Sequence, residues 1–279
     1  ICNENGCPID DLFVYNINDN IFMMVVNASN IDKDFKWLLS HKIPGADISD
    51  ESENYSILAL QGPNAVSIFS NVIERDVSSM ESFSLSSFDC KGTKTFFSRT
   101  GYTGEDGVEI YVKSEDSPDL WGKIFKAGHS CGLVPAGLGA RDTLRLEMGY
   151  SLYGHELNEE INALEAGLAW IVNLDDHEFI GRESLVKAKM DGLRYKFIGL
   201  EMVSKAIPRA GFKLFSNGKE IGYITSGTHS PSLKKGIALG YVNAGSVKSG
   251  DIIEVDIRGR REQACVVKRK FYNKQIIGL

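Results

Sequence analysis

Arg99-Thr100-Gly101-Tyr102-Thr103-Gly104-Glu105-Asp106-Gly107-Val108-Glu109-Ile110 reads as a glycine-rich turn that presents an aromatic ring and then enters a strand carrying an acid. Thr95 to Ser98 and Gly107 to Val112 are the β-prone runs on either side of it. Glu109 lies between Val108 and Ile110, and burying a lone carboxylate there would cost several kcal/mol. Pattern alone leaves two readings open. The acid faces water on a strand with one wet face, or it answers the donors of a ligand; a flat heterocycle with ring N–H and amino groups would offer them in pairs.

Outward from this turn the chain mixes strands and helices. Residues 9–15 and 21–27 are apolar, β-prone runs separated by Asn16-Ile17-Asn18-Asp19-Asn20, which predicts a hairpin. Asn30 to Ser40 has Ile31, Phe35 and Leu38 or Leu39 at helical spacing, with Asn30 placed to cap it. A strand at Tyr55 to Leu60 runs into Gln61-Gly62-Pro63-Asn64, where Pro63 suits the first turn of a helix over Ala65 to Ile73. Leu120 to Gly128 and Ala140 to Met148 are helical by pattern. From about Lys196 the texture becomes short strands and turns, among them Ser216-Asn217-Gly218, Thr225-Ser226-Gly227 and Val247-Lys248-Ser249-Gly250. The expected organisation is therefore an α+β region over residues 1–195, without regular βαβ alternation, followed by a small all-β module over 196–279.

Composition narrows the function classes. With 43% apolar and 24% charged residues among 279, the balance is that of a globular chain, and no apolar run is long enough for a bilayer. A formal charge of −6 argues against a nucleic-acid partner, whose phosphates ask for a basic face. Five scattered cysteines (Cys2, Cys7, Cys90, Cys131, Cys265) point to reduced structural thiols rather than a disulfide framework or a zinc site. The glycines match neither a dinucleotide fingerprint nor a P-loop, and the histidines show no ligand spacing, so no metal is expected.

Three other stretches stand out. Ile9-Asp10-Asp11-Leu12 puts two carboxylates at the mouth of a strand, where alternation would send them to opposite faces; a plain acidic turn is the simpler alternative. In Gly137-Leu138-Gly139-Ala140-Arg141-Asp142-Thr143-Leu144-Arg145-Leu146-Glu147, Arg141 and Arg145 share a helical face near the helix start. Cations there oppose the macrodipole, which suggests that they answer an anion elsewhere, or Asp142 beside them. Thr225-Ser226-Gly227-Thr228-His229-Ser230-Pro231-Ser232-Leu233 reads as a structural turn between strands.

Taken in order, these segments resemble the T-protein (aminomethyltransferase) family of the glycine cleavage system. The resemblance is carried by Asn3-Glu4-Asn5-Gly6 with Ile9-Asp10-Asp11-Leu12, Val25-Val26-Asn27-Ala28-Ser29-Asn30, Leu60-Gln61-Gly62-Pro63, the 99–109 turn, the 137–147 segment, Leu152-Tyr153-Gly154-His155-Glu156-Leu157, Glu165-Ala166-Gly167-Leu168-Ala169-Trp170 and the 225–233 segment. It runs from Cys2 to about Tyr272. It implies two α+β segments and a C-terminal β-barrel around folate. The implied reaction takes the one-carbon unit from aminomethyl-lipoyl H-protein to tetrahydrofolate, the co-substrate, and releases ammonia. Carried over by position, it makes Asp11 the catalytic acid, and Asn27, Tyr102, Glu109, Arg141 and Tyr150 the folate- and substrate-binding residues. The compartment it implies is bacterial cytoplasm or mitochondrial matrix.

The resemblance also implies further residues upstream of Ile1, so the expectation is a chain that starts inside its family's N-terminal part and has little activity without it. Cys7-Pro8 and Ala163 depart from the family pattern without touching the proposed site residues. Two rivals are a folate-dependent demethylase, or the folate domain of a fused dehydrogenase, and a folate-binding accessory protein of iron–sulfur maturation. A fused dehydrogenase should carry a dinucleotide fingerprint, which this chain lacks. The accessory relatives carry a Lys-Gly-Cys-type motif, whereas Asp89-Cys90-Lys91-Gly92 runs in another order.

Overall fold

The computed structural model describes residues 1–273. In chain order the elements are strands β1 (Phe13–Asn18) and β2 (Ile21–Val25), helix α1 (Ile31–Ser40), strand β3 (Tyr55–Gln61), helix α2 (Ala65–Val72) and strands β4 (Leu85–Cys90), β5 (Thr93–Ser98) and β6 (Gly107–Lys113). Helices α3 (Ser117–Gly128), α4 (Leu138–Glu147) and α5 (Arg182–Asp191) follow. The chain then forms β7 (Tyr195–Met202), β8 (Lys213–Ser216), β9 (Lys219–Ser230), β10 (Lys235–Asn243), β11 (Ile252–Ile257) and β12 (Arg260–Val267). This is an α+β chain with a C-terminal barrel. It divides into two compact units, Ile31–Leu144 and Ile1–Asn30 with Arg145–Leu279. Compactness thus groups residues 145–195 with the barrel strands.

The 31–144 unit is built on a four-stranded antiparallel sheet in the order β3-β6-β5-β4. Alternation along β6 sends Val108, Ile110 and Val112 into a core with Leu60, Phe97 and the apolar faces of α2 (Ala65, Ile68, Phe69) and α3 (Leu120, Ile124). The same alternation leaves Glu109 and Tyr111 on the other face. Helix α2 begins at Ala65 with Asn64 as its cap, so Pro63 stands in the turn before the helix rather than in its first turn. Strand β4 has no expectation behind it, because Leu85-Ser86-Ser87-Phe88-Asp89-Cys90 is a serine-rich edge strand with a weak apolar signal. Helix α5, in the other unit, escaped the pattern because Leu185 is its one buried residue.

In that other unit, six strands close into a barrel in the order β10-β7-β12-β11-β8-β9. Leu200, Leu214, Ile224, Ala238, Val242, Val255, Ala264 and Val266 belong to its core. The opposite side of β10 presents Ile237, Leu239 and Tyr241 to a second cluster containing Leu146, Leu157, Ile161, Ala166 and Phe271, so this strand is covered on both faces. Thr225-Ser226-Gly227 lies inside β9 instead of forming a turn, since it pairs with β10 and the chain reverses at residues 231–234. The end of the expected module, residues 274–279, lies outside the described residues.

The first thirty residues belong to this unit through named bonds. Ala163 N donates to the Gly6 carbonyl at 2.9 Å, Ser184 Oγ to the Glu4 carbonyl at 2.7 Å and Tyr153 OH to the Pro8 carbonyl at 3.4 Å. The expected hairpin is present as β1 and β2, but it starts at Phe13. Ile9 to Leu12 are irregular, so strand alternation does not set the directions of Asp10 and Asp11.

Arg145, at the end of α4, is 1% exposed. It donates to Glu156 Oε2 at 2.9 Å, to the Tyr150 carbonyl at 3.1 Å and to Ser226 Oγ at 2.8 Å. Glu156 is as deeply buried and also accepts from Thr225 Oγ1 at 2.5 Å and from Leu152 N at 3.0 Å. Glu147 receives Ser230 Oγ and Ser232 Oγ in the same way. The anion that Arg145 answers is therefore internal, and Thr225, Ser230 and Ser232 of the 225–233 segment satisfy buried carboxylates while Ser226 accepts from Arg145. Breaking such a pair from one side strands a charge. Arg145→Met should lower the free energy of unfolding by about 3–5 kcal/mol, measured by urea denaturation. A loss within about 1 kcal/mol would mean that the pair behaves like a solvated one.

Candidate active site

The expected site residues fall into two sets, one in each unit. In the 31–144 unit the glycine-rich turn is organised by Gln61 from the end of β3. Its Nε2 donates to the Thr100 carbonyl at 3.1 Å and the Val108 carbonyl at 3.3 Å, while its Oε1 accepts from Thr103 Oγ1 at 3.3 Å. This is why two of the turn's glycines are glycines: a Cβ at Gly101 would run into the Gln61 side-chain amide, and one at Gly107 would sit 2.5 Å from the Leu60 carbonyl oxygen. Arg99 clamps the outside, donating to the carbonyls of Val77 and Met80 and, at 2.6 Å, to Asp106 Oδ1. Asp106 Oδ1 also accepts from Gly107 N.

The half-buried Glu109 projects from β6 opposite Ser98 on β5 and Ala59 on β3. Thr100 Oγ1 donates to its Oε2 at 2.5 Å. That hydrogen being spent, Ser98 Oγ must donate to Thr100 Oγ1 (2.5 Å) and Tyr111 OH to Ser98 Oγ (2.8 Å). Three hydroxyls thus point in one direction, Tyr111 to Ser98 to Thr100 to Glu109, and end on the carboxylate. Chains of this kind polarise one another and hold their members in place. Ser98 and Tyr111 carry no motif of their own, so the sequence did not single them out. Their pairing across β5 and β6 is what joins them to Glu109.

Tyr102 stands half-buried in the turn with the guanidinium of Arg141, from α4, 4.6 Å from its ring centre. Arg141 itself is exposed. A cation over one ring face leaves the aromatic fixed in orientation and adds positive charge beside it. Arg141 and Arg145 share a helix yet differ in burial and task.

In the other unit Asp10 is 2% exposed. Its carboxylate accepts from Asn27 N at 3.0 Å, Asn27 Nδ2 at 2.8 Å and Asn30 Nδ2 at 2.5 Å. Asp11 keeps an exposed face, and its Oδ1 accepts from the same Asn27 Nδ2 at 3.0 Å. Crowding by surrounding atoms and then the adjacent Asp10 carboxylate push the Asp11 pKa above the ordinary carboxylate value, while the Asn27 hydrogen bond works against them. Sequence reasoning named Asp11 and Asn27 as site residues; it took Asp10 only as the other half of an acid pair and Asn30 only as a helix cap, because their pairing depends on the turn that brings residue 27 back to residue 10. Tyr150 lies in the same unit, five residues after Arg145, whose Nη1 its carbonyl accepts from. Among the described residues no three His, Cys, Asp or Glu side chains are grouped to hold a metal ion.

Residues 1–176 match the GCVT N-terminal domain, and residues 196–273 match the glycine cleavage T-protein C-terminal barrel domain. The aminomethyltransferase of Desulforamulus reducens is 43% identical over 276 residues, covering 99% of this chain and 76% of that protein. That of Bacillus subtilis is 42% identical over 276 residues, covering 98% of this chain and 76% of its own length. The crystal structure of glycine cleavage system aminomethyltransferase T from Bartonella henselae superposes with a TM-score of 0.88 at 30% identity, over 98% of this chain and 74% of that one. With both domain matches in sequence order, the chain belongs to the glycine cleavage T-protein family of aminomethyltransferases.

Proposed function

We propose that this protein is a tetrahydrofolate-dependent aminomethyltransferase that takes the one-carbon unit from the aminomethyl-lipoyl arm of H-protein, passes it to tetrahydrofolate and releases ammonia. What carries the reading is membership of the aminomethyltransferase family at 42–43% identity across nearly the whole chain. Lipoylated H-protein is the partner, and the compartment is the cytoplasm in a bacterium or the mitochondrial matrix in a eukaryote. Residues 1–195 form the folate-binding region and 196–279 the barrel module.

The residues present suit a reduced folate. Glu109 offers carboxylate oxygens whose position is set by the hydroxyl chain, suited to paired N–H donors of a pterin ring. Tyr102, with Arg141 behind it, offers a fixed ring face for a flat heterocycle, and Arg141 a cation for a carboxylate. Tetrahydrofolate, when bound, supplies the amines that accept the one-carbon unit. Asp11 holds the reacting amine and accepts its proton; its raised pKa brings it nearer to the useful range for proton exchange. Asn27 fixes Asp11, and Tyr150 completes the substrate-binding set.

Ammonia release from loaded H-protein, assayed with and without tetrahydrofolate, tests the assignment. It should be strongly folate-dependent, and equal rates in both conditions would sink it. Asp11→Asn keeps shape and loses charge, so turnover should fall by about a hundredfold or more with folate affinity little changed. Glu109→Gln should instead weaken folate binding by about 1–3 kcal/mol, because an acceptor is replaced by a donor that faces donors. Calorimetry with single-turnover kinetics separates the two; weakened binding in Asp11→Asn with turnover of bound folate intact would reverse the roles. Thr100→Val removes the hydroxyl that fixes Glu109 and should weaken folate binding by about 1 kcal/mol, roughly fivefold in Kd. An unchanged Kd in that variant would show that the hydroxyl chain does not position the acid.

A further inference from the structure

The Asp10–Asn27–Asp11 arrangement carries an inference beyond the role given to Asp11, and it rests on that role. Asn27 Nδ2 has two hydrogens and three acceptors in range: Asp10 Oδ1 at 2.8 Å, the Asp11 carbonyl at 3.1 Å and Asp11 Oδ1 at 3.0 Å. Asn27 N, on the backbone, is tied to the other oxygen of Asp10. Both the main chain and the side chain of Asn27 are therefore fixed by one buried carboxylate. The amide cannot turn over, because its own oxygen would then face two carboxylates. Held this way, Asn27 occupies Oδ1 of Asp11, while Oδ2 receives no hydrogen bond from another described residue.

Asp10 meets amide N–H groups on every carboxylate contact, those of Asn27 and Asn30. A carboxylate in that setting acts as a fixed template for the amides around it, and the second carboxylate, beside it in sequence but exposed, is the one left for chemistry. We propose that Asp10 is a positioning residue for the transfer reaction: by locking Asn27 it decides which oxygen of Asp11 is presented to the substrate.

The test is a double-mutant cycle in the full-length protein, with kcat and the KM for tetrahydrofolate measured on loaded H-protein. Asp10→Asn should lower kcat about ten- to a hundredfold by loosening Asp11, with KM changed by no more than about twofold. Asn27→Ala should do the same, and the double variant should be no slower than Asn27→Ala alone, since Asp10 acts through Asn27. A purely structural Asp10 would lower the melting temperature and leave the kcat of the folded fraction near wild type, and that result overturns the proposal. Losses that multiply in the double variant overturn it as well. If Asp10→Asn does not fold, Asn27→Ala decides the matter, because Asp10 there retains its Asn30 contact; wild-type kcat in that variant counts against the proposal. Asp11→Asn in the same assay separates the two ideas. Wild-type kcat there removes the role of Asp11 and this proposal with it, whereas a slow Asp11→Asn beside an unaffected Asp10→Asn removes the proposal alone.

Discussion

The buried Arg145–Glu156 pair is the constraint on which the barrel-containing unit depends. Neither charge can stay buried unless its remaining donors and acceptors are met, and each is met from the same two parts of the chain: Arg145 by the Tyr150 carbonyl and Ser226, Glu156 by Leu152 N and Thr225. The pair therefore fixes the end of α4, the 150–156 loop and strand β9 against one another. A buried ion pair is a poor source of net stability, but it is intolerant of misplacement. Apolar residues of similar volume could fill the space; they would not dictate which strand meets which loop.

The two carboxylates stand in different surroundings, and the roles proposed for them rest on that difference. Glu109 stands at the end of a one-way hydroxyl chain on a rigid sheet, which suits an acceptor that must not move. Asp11 stands on irregular backbone with a second carboxylate behind it and an amide between, which suits a group that exchanges a proton. Glu109 lies inside β6 and is paired on both sides, whereas Asp11 lies on the irregular stretch just before β1. The strand supplies rigidity and the irregular stretch access.

Much of this was legible in the residues. The 99–110 stretch announced a turn, a ring and an acid in a strand, and β6 carries that acid on the face opposite Val108 and Ile110. The all-β texture after Lys196 corresponds to six strands, β7 to β12, with no α-helix between them among the described residues. What could not be read were pairings between distant residues. Gln61 threading the turn, Ser98 and Tyr111 behind Glu109, and Asp10 behind Asn27 are all meetings that local pattern does not encode. The 225–227 segment was misread for a related reason: Thr-Ser-Gly is turn chemistry in isolation, but two of its side chains are spent on buried Glu156 and Arg145, and its backbone on β10. Arg145 itself, a charge that locally resembles Arg141, is buried because its counter-ion lies eleven residues on.

The barrel-containing unit is discontinuous, with residues 1–30 separated from 145–279 by the whole of the other unit. Synthesis therefore delivers the Asp10–Asp11 segment to the ribosome exit long before its partners at Tyr153, Ala163 and Ser184 exist. The continuous 31–144 unit can close as soon as it emerges, at chain-elongation rates of about 5–20 residues per second. The bonds of Glu4, Gly6 and Pro8 must wait until the C-terminal half arrives. The order of assembly is thus the reverse of the order of translation for these two pieces. A nascent chain stalled before Arg145 would hold Glu109 with its hydroxyl chain and Asp10, Asp11, Asn27 and Asn30, but not the bonds that Glu4, Gly6 and Pro8 make to Ser184, Ala163 and Tyr153.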